Sequence, residues 1–223
     1  MRIFILCCGP SIKYQNLQCL AGETCFSVSN FFVHPLINEI KPSRHIFAPM
    51  HLRNDIVVAL FNEADKTLPP ETPIVIAAKD KRFCTGLSSD RKVITYDPGE
   101  ILALSVSNIA LYMAIQEQPQ QIYLLGCDHN WIRHVGESRH FYHTSESVAE
   151  RMGYDEWLGM DKKSATIREK QCNNDLFDIY GTYKEIAQEK NIQVLNATPG
   201  SRLEVFEKTT LFDIFEVPTM DDI

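Results

Sequence analysis

The run Tyr123-Leu124-Leu125-Gly126-Cys127-Asp128-His129 constrains this chain more than any other stretch. It is short and continuously apolar, and a glycine closes it before an acid and an imidazole. It reads as a strand buried on both faces that empties into a polar turn. Residues 2–8 repeat the pattern, with Ile3-Phe4-Ile5-Leu6 running through Cys7-Cys8 into Gly9-Pro10-Ser11. Further strands are predicted at Thr24–Ser29, Arg44–Ala48, Pro73–Ala77, Lys92–Tyr96 and Ile192–Leu195. Helical stretches separate them: a short one over Lys13–Leu20, then Leu52–Leu68, Glu100–Gln118 and Asn174–Lys190. In the second, Ile56, Val57, Leu60, Phe61 and Ala64 keep helical spacing, and Pro69-Pro70 stops it.

Strands alternating with helices predict a Rossmann-like α/β fold, a mostly parallel sheet with helices on both faces. The exception is Asp128 to Asn173, rich in His, Trp, Tyr and charge and without a strand pattern. A connection that long is expected to be a lid or binding loop. The expectation is therefore one nucleotide-binding transferase domain over residues 1–223, with a lid-like insertion at 129–173 after the central strand.

Composition narrows the class. A net charge of −7 argues against a general nucleic-acid binder, whose surface would carry a basic stripe. Seven cysteines in no regular spacing, without a C-x-x-C pair, fit a reducing cytoplasm, and Cys7 and Cys8 read as small buried thiols. No apolar run reaches the roughly 18 residues of a membrane span, so no integral membrane segment is expected. Peripheral membrane association and homo-oligomer formation stay open.

In an open α/β sheet, ligands bind past the carboxyl ends of the strands. Asp128 and His129 stand at such an end, the acid able to hold a hydroxyl or orient the imidazole, the imidazole able to act as general base near neutral pH. Cys8, Gly9, Pro10 and Ser11 form a turn whose glycine admits a close ligand approach, although it is neither G-x-G-x-x-G nor a Walker A sequence. Ser29 and Asn30 end the second strand. Ser105, Ser107 and Asn108 place a polar patch in an otherwise apolar helix. Thr198, Gly200 and Ser201 follow the last strand.

His134, His140 and His143 lie in the insertion, but their spacing matches no zinc motif, so one or two of them are expected as base or phosphate ligand and no metal site is expected. Trp131, Arg139, Tyr142 and Trp157 are expected to wall the lid or acceptor region.

Gly-Pro-Ser after strand one, Ser-Asn-Phe-Phe after strand two, and Ser-Asn-Ile-Ala-Leu-Tyr-Met-Ala before Ile-Tyr-Leu-Leu-Gly-Cys-Asp-His together resemble one superfamily. It joins the bacterial sialyltransferases that use CMP-activated sugars to proteins similar to 6-hydroxymethylpterin diphosphokinase, the latter found with surface-polysaccharide genes. His140-Phe141-Tyr142 and the C-terminal Val194–Phe206 look closer to the diphosphokinase-like branch. The resemblance implies that Gly9, Pro10, Ser11, Asn30 and Ser107 hold the nucleotide, together with Gly126 and the Thr198–Ser201 loop. The chain departs from the sialyltransferases in two places. Cys8 stands where they have Asn, and Cys172-Asn173-Asn174-Asp175 stands where they place their catalytic His. A histidine base must then come from His129, His140 or His143.

The favoured expectation is a glycosyltransferase that moves an acidic sugar, of sialic acid or Kdo type, from a CMP-activated donor to a surface-glycan or glycolipid acceptor in polysaccharide biosynthesis. It requires no cofactor, because CMP leaves as a monophosphate. The alternative is an ATP-dependent diphosphotransferase of the 6-hydroxymethylpterin diphosphokinase type, in which Asp128 would bind Mg²⁺. A non-catalytic nucleotide-binding module is the third.

Overall fold

Each apolar run becomes a strand because both of its faces meet a layer of helices. The computed structural model describes residues 1–49, 51–130, 139–154 and 161–216. Among these, β1 (Arg2–Leu6), β2 (Thr24–Val28), β3 (Arg44–Ile46), β4 (Ile74–Ala77), β5 (Val93–Tyr96), β6 (Gln121–Leu125), β7 (Gln193–Asn196) and the two-residue β8 (Glu207–Lys208) form one sheet. All pairings are parallel, in the order β5-β4-β3-β2-β1-β6-β7-β8. The fold is Rossmann-like α/β, and the sheet is parallel throughout rather than mostly.

Side chains alternate along β1. Ile3, Ile5 and Cys7 face a core shared with α3 (Val106–Gln116) and α5 (Lys162–Glu189). Phe4, Leu6 and Cys8 face the other core, built with α1 (Ile37–Ile40), α2 (Asn54–Thr67), α4 (Val148–Arg151) and α6 (Leu211–Phe215). A strand covered on both sides has no room for polar alternation, hence the unbroken hydrophobic runs.

The strand order fixes where a ligand can sit. From β1 the chain winds outward through β2 to β5 on one side, then returns to build β6 to β8 on the other. Between β1 and β6 the order reverses, which is the switch point at which open parallel α/β sheets carry their ligand sites. Leu6 pairs level with Leu125, so both strands end together and their turns lie side by side.

Three helix boundaries differ from expectation. Lys13–Leu20 is two short 3₁₀ turns, Pro10–Tyr14 and Leu17–Leu20, with the Asn16 side chain accepting from Gln18 N between them. The helix expected from Glu100 begins at Val106, after the Pro98–Glu100 turn, and Ser105 is its N-cap. The helix expected from Asn174 begins at Lys162, where the Asp161 carboxylate accepts from Lys163 N and Ser164 N. Its opening turns are charged and polar, so no apolar face marks them in the sequence. The connection after β6 is correspondingly shorter. Among the described residues no helix is long and apolar enough to cross a membrane.

Candidate functional site

The turns after β1 and β6 are bound to each other. Cys7 N donates to Leu125 O and Gly9 N to Gly126 O, carrying the ladder past the strands. Asp128 then reaches across: Ser11 N donates to its Oδ1 at 3.0 Å and Ser11 Oγ to its Oδ2 at 2.7 Å. This crossing leaves no space for a side chain at residue 9. A Cβ there would stand 1.9 Å from Asp128 Oδ2 and 2.5 Å from Gly126 O. Gly126 has φ +69°, and a Cβ on it would meet Cys7 O at 2.5 Å. Both glycines are required by close approach of backbones.

The loop after β7 joins from the other side. Thr198 Oγ1 accepts from Cys127 N and donates to Leu124 O. Ser201 Oγ donates to Cys127 O at 2.5 Å, and Arg202 N donates to Asp128 O at 3.0 Å. Gly200 turns this loop at φ +64°. The three loops expected to share a site are therefore adjacent, and the hydroxyls of Ser11, Thr198 and Ser201 are already engaged in holding them together.

His129 takes the left-handed conformation, φ +51°, as does Ser29 at the end of β2 with the same φ. For residues other than glycine this conformation is uncommon and must be held by its surroundings. At His129 they do so thoroughly: Asn173 Nδ2 donates to its carbonyl at 3.1 Å, and Phe177 and Tyr180 pack edge-on against its ring. Tyr180 OH donates to Ser107 Oγ at 2.7 Å and lies 3.4 Å from His129 Nε2. With its one proton on Ser107, the phenol oxygen is left to accept from His129.

Ser107 Oγ is in turn 2.6 Å from Ser105 Oγ, which caps α3 and accepts from Asn108 N. A polar chain thus runs from the end of β6 to the N-terminus of α3. Beside it three buried amide atoms have no partner among the described residues: Asn108 Nδ2, Asn130 Oδ1 and Asn173 Oδ1. Sequence reasoning did not single out Asn130, Asn173 or Tyr180 as site residues. Tyr180 lies on the apolar face of α5, and an isolated Asn carries no spacing signal.

The described part of the insertion is pinned over β1 and β2. Phe141 N donates to Cys8 O, and Asn30 Nδ2 donates to Tyr142 OH at 3.2 Å and to Ser147 Oγ at 3.4 Å. Asn30 therefore anchors the insertion. His140 stacks on Tyr142, and burial lowers its pKa to about 4, against a hydrogen bond to the Cys8 carbonyl. It is neutral at pH 7 and a weak base. His143 is exposed, and its Nδ1 accepts from Ser145 N in a capping box with Glu146. Arg139 lies half-buried at the edge of this segment. Trp131, His134 and Trp157 lie outside the described residues.

Glu169, 1% exposed on α5, accepts from Arg202 Nη1 at 3.1 Å, while the Arg202 side chain stays 41% exposed. Among the described residues no three His, Cys, Asp or Glu side chains converge to hold a metal. No protein-family model, curated protein or solved structure matches this chain.

Proposed function

We propose that this chain is a nucleotide-using transferase: a glycosyltransferase that moves an acidic sugar from a CMP-activated donor to a surface-glycan or glycolipid acceptor. The observation that carries this reading is the N-terminus of α3, joined to His129 at the β1/β6 switch point through Tyr180 and Ser107. A helix N-terminus favours an anion, and Ser107 and the unpartnered Asn108 Nδ2 add donors there, with Ser105 donating to Asn108 Oδ1. One such anion site suits a leaving nucleoside monophosphate. The unpartnered Asn130 and Asn173 carbonyl oxygens accept but cannot donate, which suits sugar or acceptor hydroxyls.

His129 is the base in this scheme. Its Nε2 lies beside the Tyr180 hydroxyl and its ring also hydrogen-bonds the Cys127 thiol, and as base it takes a proton from the acceptor hydroxyl as that hydroxyl attacks the sugar carbon. As the bond to the CMP phosphate breaks, charge develops where Ser107, Asn108 and the first turn of α3 present their donors. Asp128 is a positioning residue: through Ser11 it keeps the β1 turn against the β6 turn.

The diphosphotransferase reading asks Asp128 to hold Mg²⁺. Both its oxygens already accept from Ser11, and among the described residues no further pair of ligands joins it, so the donor set fits that metal poorly.

Titration calorimetry separates these readings. CMP is expected to bind with and without Mg²⁺, and His129→Gln to lower glycosyl transfer about 10²-fold or more while CMP still binds. ATP binding that depends on Mg²⁺, with CMP silent, would transfer the assignment to the diphosphokinase class. Silence toward both would leave a non-catalytic module.

A further inference from the structure

Cys7 and Cys8 are neighbours in sequence but belong to opposite layers. Cys8 Sγ donates to Val28 O at 3.3 Å. Cys7 instead meets a cysteine 120 residues away, its Sγ 3.3 Å from that of Cys127. Cys7 is 6% and Cys127 3% exposed, and their contact bridges the switch point immediately behind Gly9 and His129. The backbone at Cys127 is fixed, its N–H donating to Thr198 Oγ1 and its carbonyl accepting from Ser201 Oγ. Two sulfurs in contact on a fixed frame need only small side-chain rotations to bond.

The pair is also chemically unequal. The shared hydrogen bond with Cys7 and a second with His129 lower the Cys127 thiol despite its burial, whereas Cys7 is raised. Thiolate character selects the sulfur that reacts first.

We infer that Cys7 and Cys127 are a redox-active pair that closes to a disulfide behind the site on exposure to a hydroperoxide and reopens with a thiol reductant. The Cys127 thiolate attacks one peroxide oxygen and the O–O bond breaks. The departing hydroxide takes up the proton that Cys127 released and becomes water. Cys7 sulfur then displaces hydroxide from the Cys127 sulfenic acid, and the Cys7 proton leaves with it as a second water. The thiols lose two electrons and the peroxide gains them. Bonding draws the sulfurs from 3.3 Å to about 2.05 Å and ends the Cys127 contact with His129. The inference concerns the thiols alone and stands whether or not the transferase reading does.

The test is peptide mapping of the full chain treated with hydrogen peroxide, denatured, alkylated and digested. Expected are a mass lower by two hydrogens and a cross-linked peptide joining Cys7 to Cys127, lost in dithiothreitol. The link should persist in Cys172→Ser, which removes the exposed thiol, and in Cys8→Ser, and vanish in Cys127→Ser. Should that last variant fail to fold, the map of the unaltered chain decides by itself. Oxidation confined to Cys172 with Cys7 and Cys127 both alkylated, or a link made by Cys8, overturns the inference.

Discussion

Ser11 and Asp128 are 117 positions apart, yet two hydrogen bonds between them reinforce the backbone bonds that hold the turns after β1 and β6 together. Asp128→Ala strands a buried Ser11 N–H and hydroxyl. A stability loss of about 3 kcal/mol is expected, or about 10 °C in melting temperature for a chain of this size. Asp128→Asn should cost less than half of that, because its amide can accept from Ser11 N and donate to a rotated Ser11 hydroxyl. Equal losses for the two variants would show that charge, not hydrogen bonding, holds the turns.

A second residue governs acid sensitivity. His45 is fully buried, with Nε2 donating to Ser29 O at 2.8 Å and Nδ1 accepting from Ser27 Oγ at 2.7 Å. Burial first, then the charge of Arg91, lower it to about 3 against the pull of the Ser29 carbonyl. The unfolded chain binds a proton at His45 below pH ~6.5 that the folded chain refuses until pH ~3. Stability should therefore fall as pH drops through that window, by up to about 1.4 kcal/mol per pH unit from this group. His34 and His140, each lowered to about 4 chiefly by burial, act in the same direction. Melting curves from pH 8 to 5 should steepen below 6.5, and His45→Gln should flatten part of that slope. An unchanged slope would remove His45 from the account.

At the scale of elements, the join between α2 and β4 depends on Arg91, whose side chain is only 3% exposed. Its guanidinium pairs with Asp65 and donates to the carbonyls of Asp65, Leu68, Pro69 and Thr72, which belong to the helix end and the turn that follows it. Arg91→Met removes the donor from these carbonyls and the counter-charge from Asp65, which keeps only its bonds from Ser88, and a loss of about 3–5 kcal/mol in denaturant unfolding is expected. Arg91→Lys should recover little of it, since one ammonium cannot span acceptors spread over a planar fork. A loss under ~1 kcal/mol for Arg91→Met would show that water replaces the guanidinium.

These elements also show what was legible beforehand. Strands such as β1 and β6 were readable because burial on both faces leaves a continuous apolar run, and α2 because one face is apolar and Pro69-Pro70 ends it. The first turns of α5 were not, because Lys162 to Lys170 has no apolar stripe. β8 was not, because two exposed residues carry no period. The site followed the same rule. Strand ends located Gly9, Asp128 and Thr198, but no pattern in the chain told that Ser11 and Ser201 spend their hydroxyls on neighbouring loops, or that Asn130 and Asn173 keep an acceptor free.

For the whole molecule, the decisive property is that the three loops at the switch point are one hydrogen-bonded unit. Ser11 is tied to Asp128, Asp128 O to Arg202 N, Cys127 N to Thr198, and Tyr180 links His129 to the start of α3. A ligand that touches any one of them must order all, since opening one loop breaks bonds in the others. If CMP is the ligand, as proposed, it adds about 2.7 kcal/mol to the closed state at 100-fold its dissociation constant. Hydrogen exchange with and without CMP should therefore slow together at residues 9–12, 104–109, 127–130 and 198–203. The groove at the opposite end of β7, lined by Lys184, Gln188, Asn191 and Glu207, should exchange as before. Protection at one of these loops alone would mean that the loops move independently and that their contacts are packing without coupling. Protection centred on the distant groove would place the nucleotide there and remove His129 from the reaction.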